Sequence, residues 1–240
     1  MNIVISQSMY FPWVGFLEQL RLADLFVLYD DVQFSKGSFT NRVQIKTAAG
    51  PRWLTVPLPG IRLGQRIDEV CLDERRDWRA QHRDMLWQAY RKAPFVADML
   101  ALVDDVFNRP ATTLSELSHA SVLALADYFG LAVHLRQLNA AAMGIDGSGS
   151  QRVLDIVRAV GGTVYITGHG ARNYLDHQAF EDAGIAVHYM DYRRLAYPQL
   201  HGEFTPYVSA LDLVANCGRE GARYIQSTTL EWKKFIHEPA

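Results

Sequence analysis

The chain has 240 residues, with 24 Lys plus Arg against 26 Asp plus Glu and a formal charge of −2. Its 49% hydrophobic and 11% aromatic residues supply a substantial core, which excludes disorder, collagen and coiled coil as the main state. Near-neutral charge leaves no global basic field for nucleic acid or an anionic lipid surface, and no run of about 18 apolar residues reads as a membrane span. Cys71 and Cys217 form no CxxC pair, which argues against a disulfide framework or a zinc site and for a reduced, cytoplasmic setting.

In chain order, the β-branched run Asn2 to Ile5 predicts a short buried strand. A loop punctuated by Pro12 and Gly15 follows, then Phe16, Leu17, Leu20 and Ala23 at helical spacing, then a second strand from Leu25 to Tyr29. Strand, helix and strand over this span suit a βαβ crossover. Arg42 to Lys46 and Arg52 to Leu58, around the turn AAGP, predict a β-hairpin. Between Asp73 and Asn108 the chain is charged, Trp-rich and predicted helical, with Pro94 dividing two helices. Pro110 opens a further helix, Leu114 to Phe129, ended by Gly130 and followed by a strand in AVHLRQL.

Met143 to Ser150 then reads as a flexible loop, Gln151 to Val160 as a helix, TVYIT as a strand, the stretch before Ala183 as a short helix and IAVHYMD as a strand. The alternation implies an α/β fold: a parallel, Rossmann-like sheet with flanking helices and an inserted β-hairpin. One domain spanning 1–240 is expected, with 73–109 a helical insertion.

Four polar groups sit at predicted strand ends, where open parallel sheets bind ligands. The first is SQSMYFPWVG, in which Gly15 would let backbone approach a phosphate and Gln7, Tyr10 and Trp13 could line a ligand; the alternative is hydrophobic cover over the sheet. In the second, Asp30 and Asp31 could hold magnesium through water or accept substrate hydroxyls or amines, while Lys36, Asn41 and Arg42 suit a phosphorylated substrate. A solvated hairpin edge is the competing reading. The third, TGHGARNYLD, sets His169 between Gly168 and Gly170 and adds Arg172 and Tyr174, an anion-cradling loop with an acid, base or phosphate donor; it is neither GxGxxG nor Walker A. The fourth gathers Asp191, Tyr197, Gln199, His201 and Asp212, with Ser209 capping a final helix; Cys217 is expected to be buried and no histidine pair has zinc spacing.

The segments QSMYFPWVGFLEQLRLADLFVLYDDVQFSKGSFTNRVQIK, WLTVPL, TVYITGHGARNYLD, HYMDY and YPQLHGEFTPYVSALDLVANCG resemble the WbqC-like family over nearly the whole chain. Where relatives commonly read HQP or QP at the first loop, this chain has Ser6 and Ser8. The resemblance implies work in surface-polysaccharide (O-antigen) assembly, on activated or modified sugars. More distantly, the opening strand, loop, helix and strand are similar to the start of the nucleotidyltransferase and pantothenate-synthetase group. PWVG lacks both histidines of that group's ATP-holding loop, so only the architecture carries over.

The leading expectation is an enzyme acting on a nucleotide-linked or phosphorylated sugar, forming an amide on an amino sugar by acyl or aminoacyl transfer. His169, Asp31 and Lys36 are its catalytic candidates. Lys36, Arg42 and Arg172 would neutralise phosphate, and His169 would act as general acid or base. ATP and magnesium enter if the acyl group is activated by ATP. Small-molecule substrates are the expected partners, with homo-oligomerisation left open. The competing expectation is a non-catalytic sugar-nucleotide-binding or scaffold protein.

Overall fold

The computed structural model describes residues 1–131, 133 and 135–237. Asn2–Ser6 forms β1 and Leu25–Leu28 forms β2, parallel and in register from Ile3 beside Leu25 to Ser6 beside Leu28. Their crossover helix, α1 (Val14–Arg21), buries Phe16, Leu17 and Leu20 on one stripe. Each such side chain contributes roughly 1.5–3 kcal/mol by leaving water.

Arg42–Thr47 (β3) and Gly50–Thr55 (β4) pair antiparallel as the expected hairpin, burying Val43, Ile45 and Leu54 on one face. Helices α2 (Trp78–Tyr90), α3 (Val96–Asn108) and α4 (Leu114–Tyr128) follow. Helix α4 starts at Leu114 as expected, but its cap is Thr113 rather than Pro110: the Thr113 hydroxyl accepts from Glu116 N, and the Glu116 carboxylate accepts from Thr113 N. This reciprocal capping box outweighs the preference of proline for a first turn.

Strand β5 (Arg136–Asn139) realises only the end of the AVHLRQL expectation; Ala132 and His134 lie outside the described residues. The expected loop, Met143 to Ser150, follows a 3₁₀ turn, Ala140–Met143, whose last residue it shares, and its final residues Gly149 and Ser150 instead enter α5 (Gly149–Ala159). Then come β6 (Val164–Thr167), α6 (His177–Asp182), β7 (Ala186–Asp191) and α7 (Ala210–Cys217). Helix α7 is not the last element. Thr228–Glu231 forms β8, antiparallel to β7, and Trp232–His237 forms α8.

The strands assemble as one sheet in the order β5-β2-β1-β6-β7-β8, parallel except for β8. Alternation along each strand divides the core in two. Val4, Phe26, Leu28, Ile166 and Met190 face α1, α2, α3, α4 and α7, whereas Ile3, Ile5, Val27, Tyr165 and Val187 face α5 and α6. From β1 the chain winds out to β2 and β5, and from β6 the other way to β7. The strand order therefore reverses between β1 and β6, where doubly wound sheets open a crevice at their carboxyl ends. No helix among the described residues is long and apolar enough to cross a membrane.

Candidate functional site

The carboxyl ends of β1, β2 and β6 bring together polar groups from the first three expected clusters, each held differently. Asp30, just past β2, is buried and accepts hydrogen bonds from Ser8 N at 2.8 Å, Ser8 Oγ at 2.6 Å and Ser115 Oγ. Burial pushes its carboxyl above the usual range, against these bonds, which favour the charged form. With both oxygens engaged, Asp30 ties the β1 loop and α4 to the end of β2.

Asp31 points to the other face of the sheet, where Oδ2 pairs with the Arg152 guanidinium from the first turn of α5. Both side chains are 7% exposed. Arg152 also donates from Nε to Ile145 O at 2.9 Å and lies 4.9 Å over the Tyr29 ring. Asp31 Oδ1 is buried without a hydrogen-bond partner. A buried carboxylate oxygen in this state is costly, so it is a standing acceptor for a donor brought by a ligand. Tyr174, half exposed, places its phenol near those of Tyr165 and Tyr29, so the Asp31 group reaches the loop that follows β6.

That loop is the 3₁₀ turn His169–Asn173. His169 Nε2 lies 2.7 Å from Met190 O. A carbonyl only accepts, so Nε2 carries a hydrogen, and in the neutral ring the lone pair is then on Nδ1, the arrangement of an oriented base. The ring sits between Tyr192, 5.1 Å away, and Phe235, 4.8 Å away. A side chain at Gly168 would meet the Tyr192 hydroxyl at 3.2 Å, and Gly170 faces open space. Arg172 donates from Nη2 to Ile236 O at 3.0 Å. Asp191, at the end of β7, accepts from Thr228 Oγ1 at 3.1 Å.

In the first loop, Gln7 is half-buried at the end of β1. Tyr10 is fully buried, with its hydroxyl 2.9 Å from His82 Nδ1 and its ring packed on Phe11 and Trp78. Gly15 is required by Trp13: a Cβ there would lie 2.2 Å from Cη2 of the indole, which folds over it and packs 5.0 Å from Tyr192. The backbone at Gly15 thus meets an aromatic ring.

The hairpin candidates stand apart. Lys36 is exposed in the turn before Gly37, whose φ is +84°. Asn41 donates to Val56 O at 3.1 Å, and Arg42 bonds Gly37 O while stacking 4.3 Å over Trp53. Those contacts stay within the hairpin and its flanking turn.

Tyr197, Gln199, His201 and Asp212 do gather, but around a buried centre: Tyr197 and Asp212 are buried, and Gln199 and His201 half-buried. Lys46, 5% exposed, gives its Nζ hydrogens to Gln199 Oε1 at 3.1 Å, Gly202 O at 3.2 Å and Glu203 O. Asp212, 0% exposed in the first turn of α7, accepts from Asn216 at 3.2 Å, and burial pushes its carboxyl up. The Tyr90 and Tyr197 phenols approach it, yet Asp212 Oδ2 and the Tyr197 hydroxyl lack a well-formed hydrogen bond. His201 reaches Ala89 O at 2.7 Å from a left-handed backbone, φ +66°. The cluster fastens the long connection before α7 onto β3 and α2.

The sequence reading omitted Arg152, Tyr29 and Lys46. Arg152 had a usable signal, because it precedes Ile156 by four residues and therefore shares the buried stripe of α5. Among the described residues no three His, Cys, Asp or Glu side chains converge as metal ligands. A cleft of about 550 Å³ lies between α3 and α4 beside Arg219 and is lined by none of the expected residues.

The WbqC-like protein family matches residues 7–224. The uncharacterized protein Rv1507c of Mycobacterium tuberculosis is 32% identical over 228 residues, covering 94% of this chain and 97% of that protein. No solved structure matches the chain. A family match over most of the chain, with a relative aligned almost end to end, establishes that this chain belongs to the WbqC-like protein family.

Proposed function

We propose that the protein is an enzyme of surface-polysaccharide (O-antigen) assembly that acts on a nucleotide-linked or phosphorylated sugar, by acyl or aminoacyl transfer to an amino sugar. The observation that carries this reading is Asp31, paired with Arg152 and keeping one unpartnered oxygen, at the carboxyl end of β2 beside the reversal between β1 and β6. In doubly wound sheets an acidic side chain at that place accepts ribose hydroxyls. Family membership supports the glycan context.

The remaining roles follow from chemistry. Arg172, at the end of β6, is the group suited to phosphate. His169, with Nε2 committed to Met190 O, offers Nδ1 to take the proton of an attacking amine as the new amide bond forms and the acyl donor's leaving group departs. Where ATP activates the acyl group, ATP and magnesium are needed; where a thioester is the donor, neither is. Lys36 lies in an exposed turn without a contact to this group, and its contribution would be charge alone.

Mass spectrometry of a nucleotide-linked amino sugar incubated with the protein, ATP and amino acids, or an acyl thioester, tests the proposal. A mass gain equal to the acyl group less the hydrogen it replaces is expected and should vanish in His169→Gln with the fold intact. Binding of the sugar nucleotide with no product under either donor would instead favour a carrier or scaffold. That second reading draws support from the internal use of Asp30, Gln199 and Asp212.

A further inference from the structure

Residues 32–67 hold six lysines and arginines and no aspartate or glutamate, although the whole chain is near neutral. Two of the six are used within the fold: Lys46 is buried against Gln199, and Arg66 pairs with Asp68 at 2.8 Å. Arg52 stands opposite Ile45, on the other face of the hairpin from Gln44 and Trp53. Lys36, Arg42 and Arg62 remain, and among the described residues none of the three pairs with a carboxylate.

These cations share a surface with apolar side chains. A bridge between Gln33 and Arg66, and the bond from Phe34 N to Gln65 O at 2.8 Å, join two segments that then turn back, from Ser35 to Ser38 and from Arg62 to Gln65. That register sets the two turns side by side, with Lys36 in one and Leu63 in the other. Beyond the first turn, Phe39 lies 5.9 Å from Trp53, and Arg42 stacks over the same indole. Both rings are exposed, and Leu63 is 96% exposed, so it packs on nothing within the fold. Unpaired cations around exposed apolar side chains are complementary to a surface that is anionic outside and apolar just beneath, which is the interface of an anionic bilayer. Tryptophan favours the headgroup level of such an interface. Nucleic acid would supply the charge but no apolar layer for Leu63. Base stacking also wants open ring faces, whereas Arg42 already covers Trp53 and Phe39 leans on it at 43°.

We propose that the face carrying Lys36, Phe39, Arg42, Trp53, Arg62 and Leu63 docks the protein on an anionic membrane surface, with Leu63 and the two rings entering the interface. This docking goes beyond the reaction proposed above and does not depend on it. It gives a use to Lys36 and Arg42, whose contacts stay within the hairpin and its flanking turn.

Sedimentation of the full chain with phosphatidylcholine vesicles, with and without phosphatidylglycerol and at low and high salt, tests it. Binding should require phosphatidylglycerol and should weaken as salt rises, because exposed charges are screened. Each basic residue at an anionic surface strengthens binding roughly fivefold, so Lys36→Gln together with Arg62→Gln should weaken it roughly 20- to 30-fold. Leu63→Ser removes the aliphatic tip and should weaken it roughly three- to tenfold. All three positions are exposed, so these variants should keep the parent melting temperature. Arg158→Gln, in the last turn of α5, should bind as the parent does. Equal binding with and without phosphatidylglycerol, no binding to either vesicle, or binding that the Lys36, Arg62 and Leu63 variants leave unchanged would overturn the docking face. Tighter binding to a single-stranded oligonucleotide than to the anionic vesicles would overturn the membrane in favour of nucleic acid.

Discussion

Acidification from pH 7 to pH 5 should cost this protein about 2 kcal/mol of stability through His82 alone. His82, on α2, is buried against Tyr10, Trp78 and the end of β4. Burial lowers its pKa from 6.5 to about 4, against a hydrogen bond to the Thr55 backbone that works the other way. The folded protein therefore holds the ring neutral while the unfolded chain takes up a proton below pH 6.5. A depressed folded value gives stability that is complete above the unfolded pKa and is lost as the pH falls toward the folded one. The full gap is about 3 kcal/mol, of which about 2 kcal/mol is lost by pH 5. Asp30, Glu18 and Asp212 run in the opposite sense, since burial raises their carboxyls and their neutral forms favour the fold in acid.

A comparison with His82→Gln isolates the histidine, because the amide can serve both neighbours without titrating and the carboxylates are common to both proteins. Urea unfolding at pH 7 and pH 5 should show the variant weaker at pH 7 and the gap narrowing by about 2 kcal/mol at pH 5. A gap that stays constant between the two pH values would refute the argument.

Two further outcomes follow from buried contacts. Arg152→Met leaves the Asp31 carboxylate without its partner and should cost about 3 kcal/mol in urea unfolding, with much of the loss recovered in the double variant carrying Asp31→Asn; no recovery would mean that packing, not charge, dominates. Gly15→Ala drives a methyl group into the Trp13 indole and should cost about 1–3 kcal/mol, and an unchanged midpoint would show that the indole moves aside freely.

The strand ends were legible before the fold was. Short, largely apolar runs stopped by polar residues marked β1, β2, β6 and β7, because a strand in the middle of a parallel sheet can carry apolar side chains throughout but must return to polar ones where it leaves the sheet. Ser209 likewise announced α7, and its hydroxyl does accept from Leu211 N. Strand β8 and helix α8 carried no such mark: TTLE is short and half-exposed, and it becomes a strand only because β7 offers an open edge.

Composition, period and capping residues, all read within a few neighbours along the chain, were thus enough to determine an α/β protein with a parallel sheet and to collect its polar residues at strand ends. They could not decide which of those residues share a space. Asp30 and Asp31 are adjacent in sequence, yet strand alternation sends one to Ser8 and Ser115 and the other to Arg152 on the opposite face. Tyr197, Gln199 and Asp212 look as available as His169 until the fold buries Tyr197 and Asp212 and brings the hairpin lysine, Lys46, onto Gln199. Exposure and pairing depend on contacts between segments 22 to 153 residues apart, and only the packed chain supplies those.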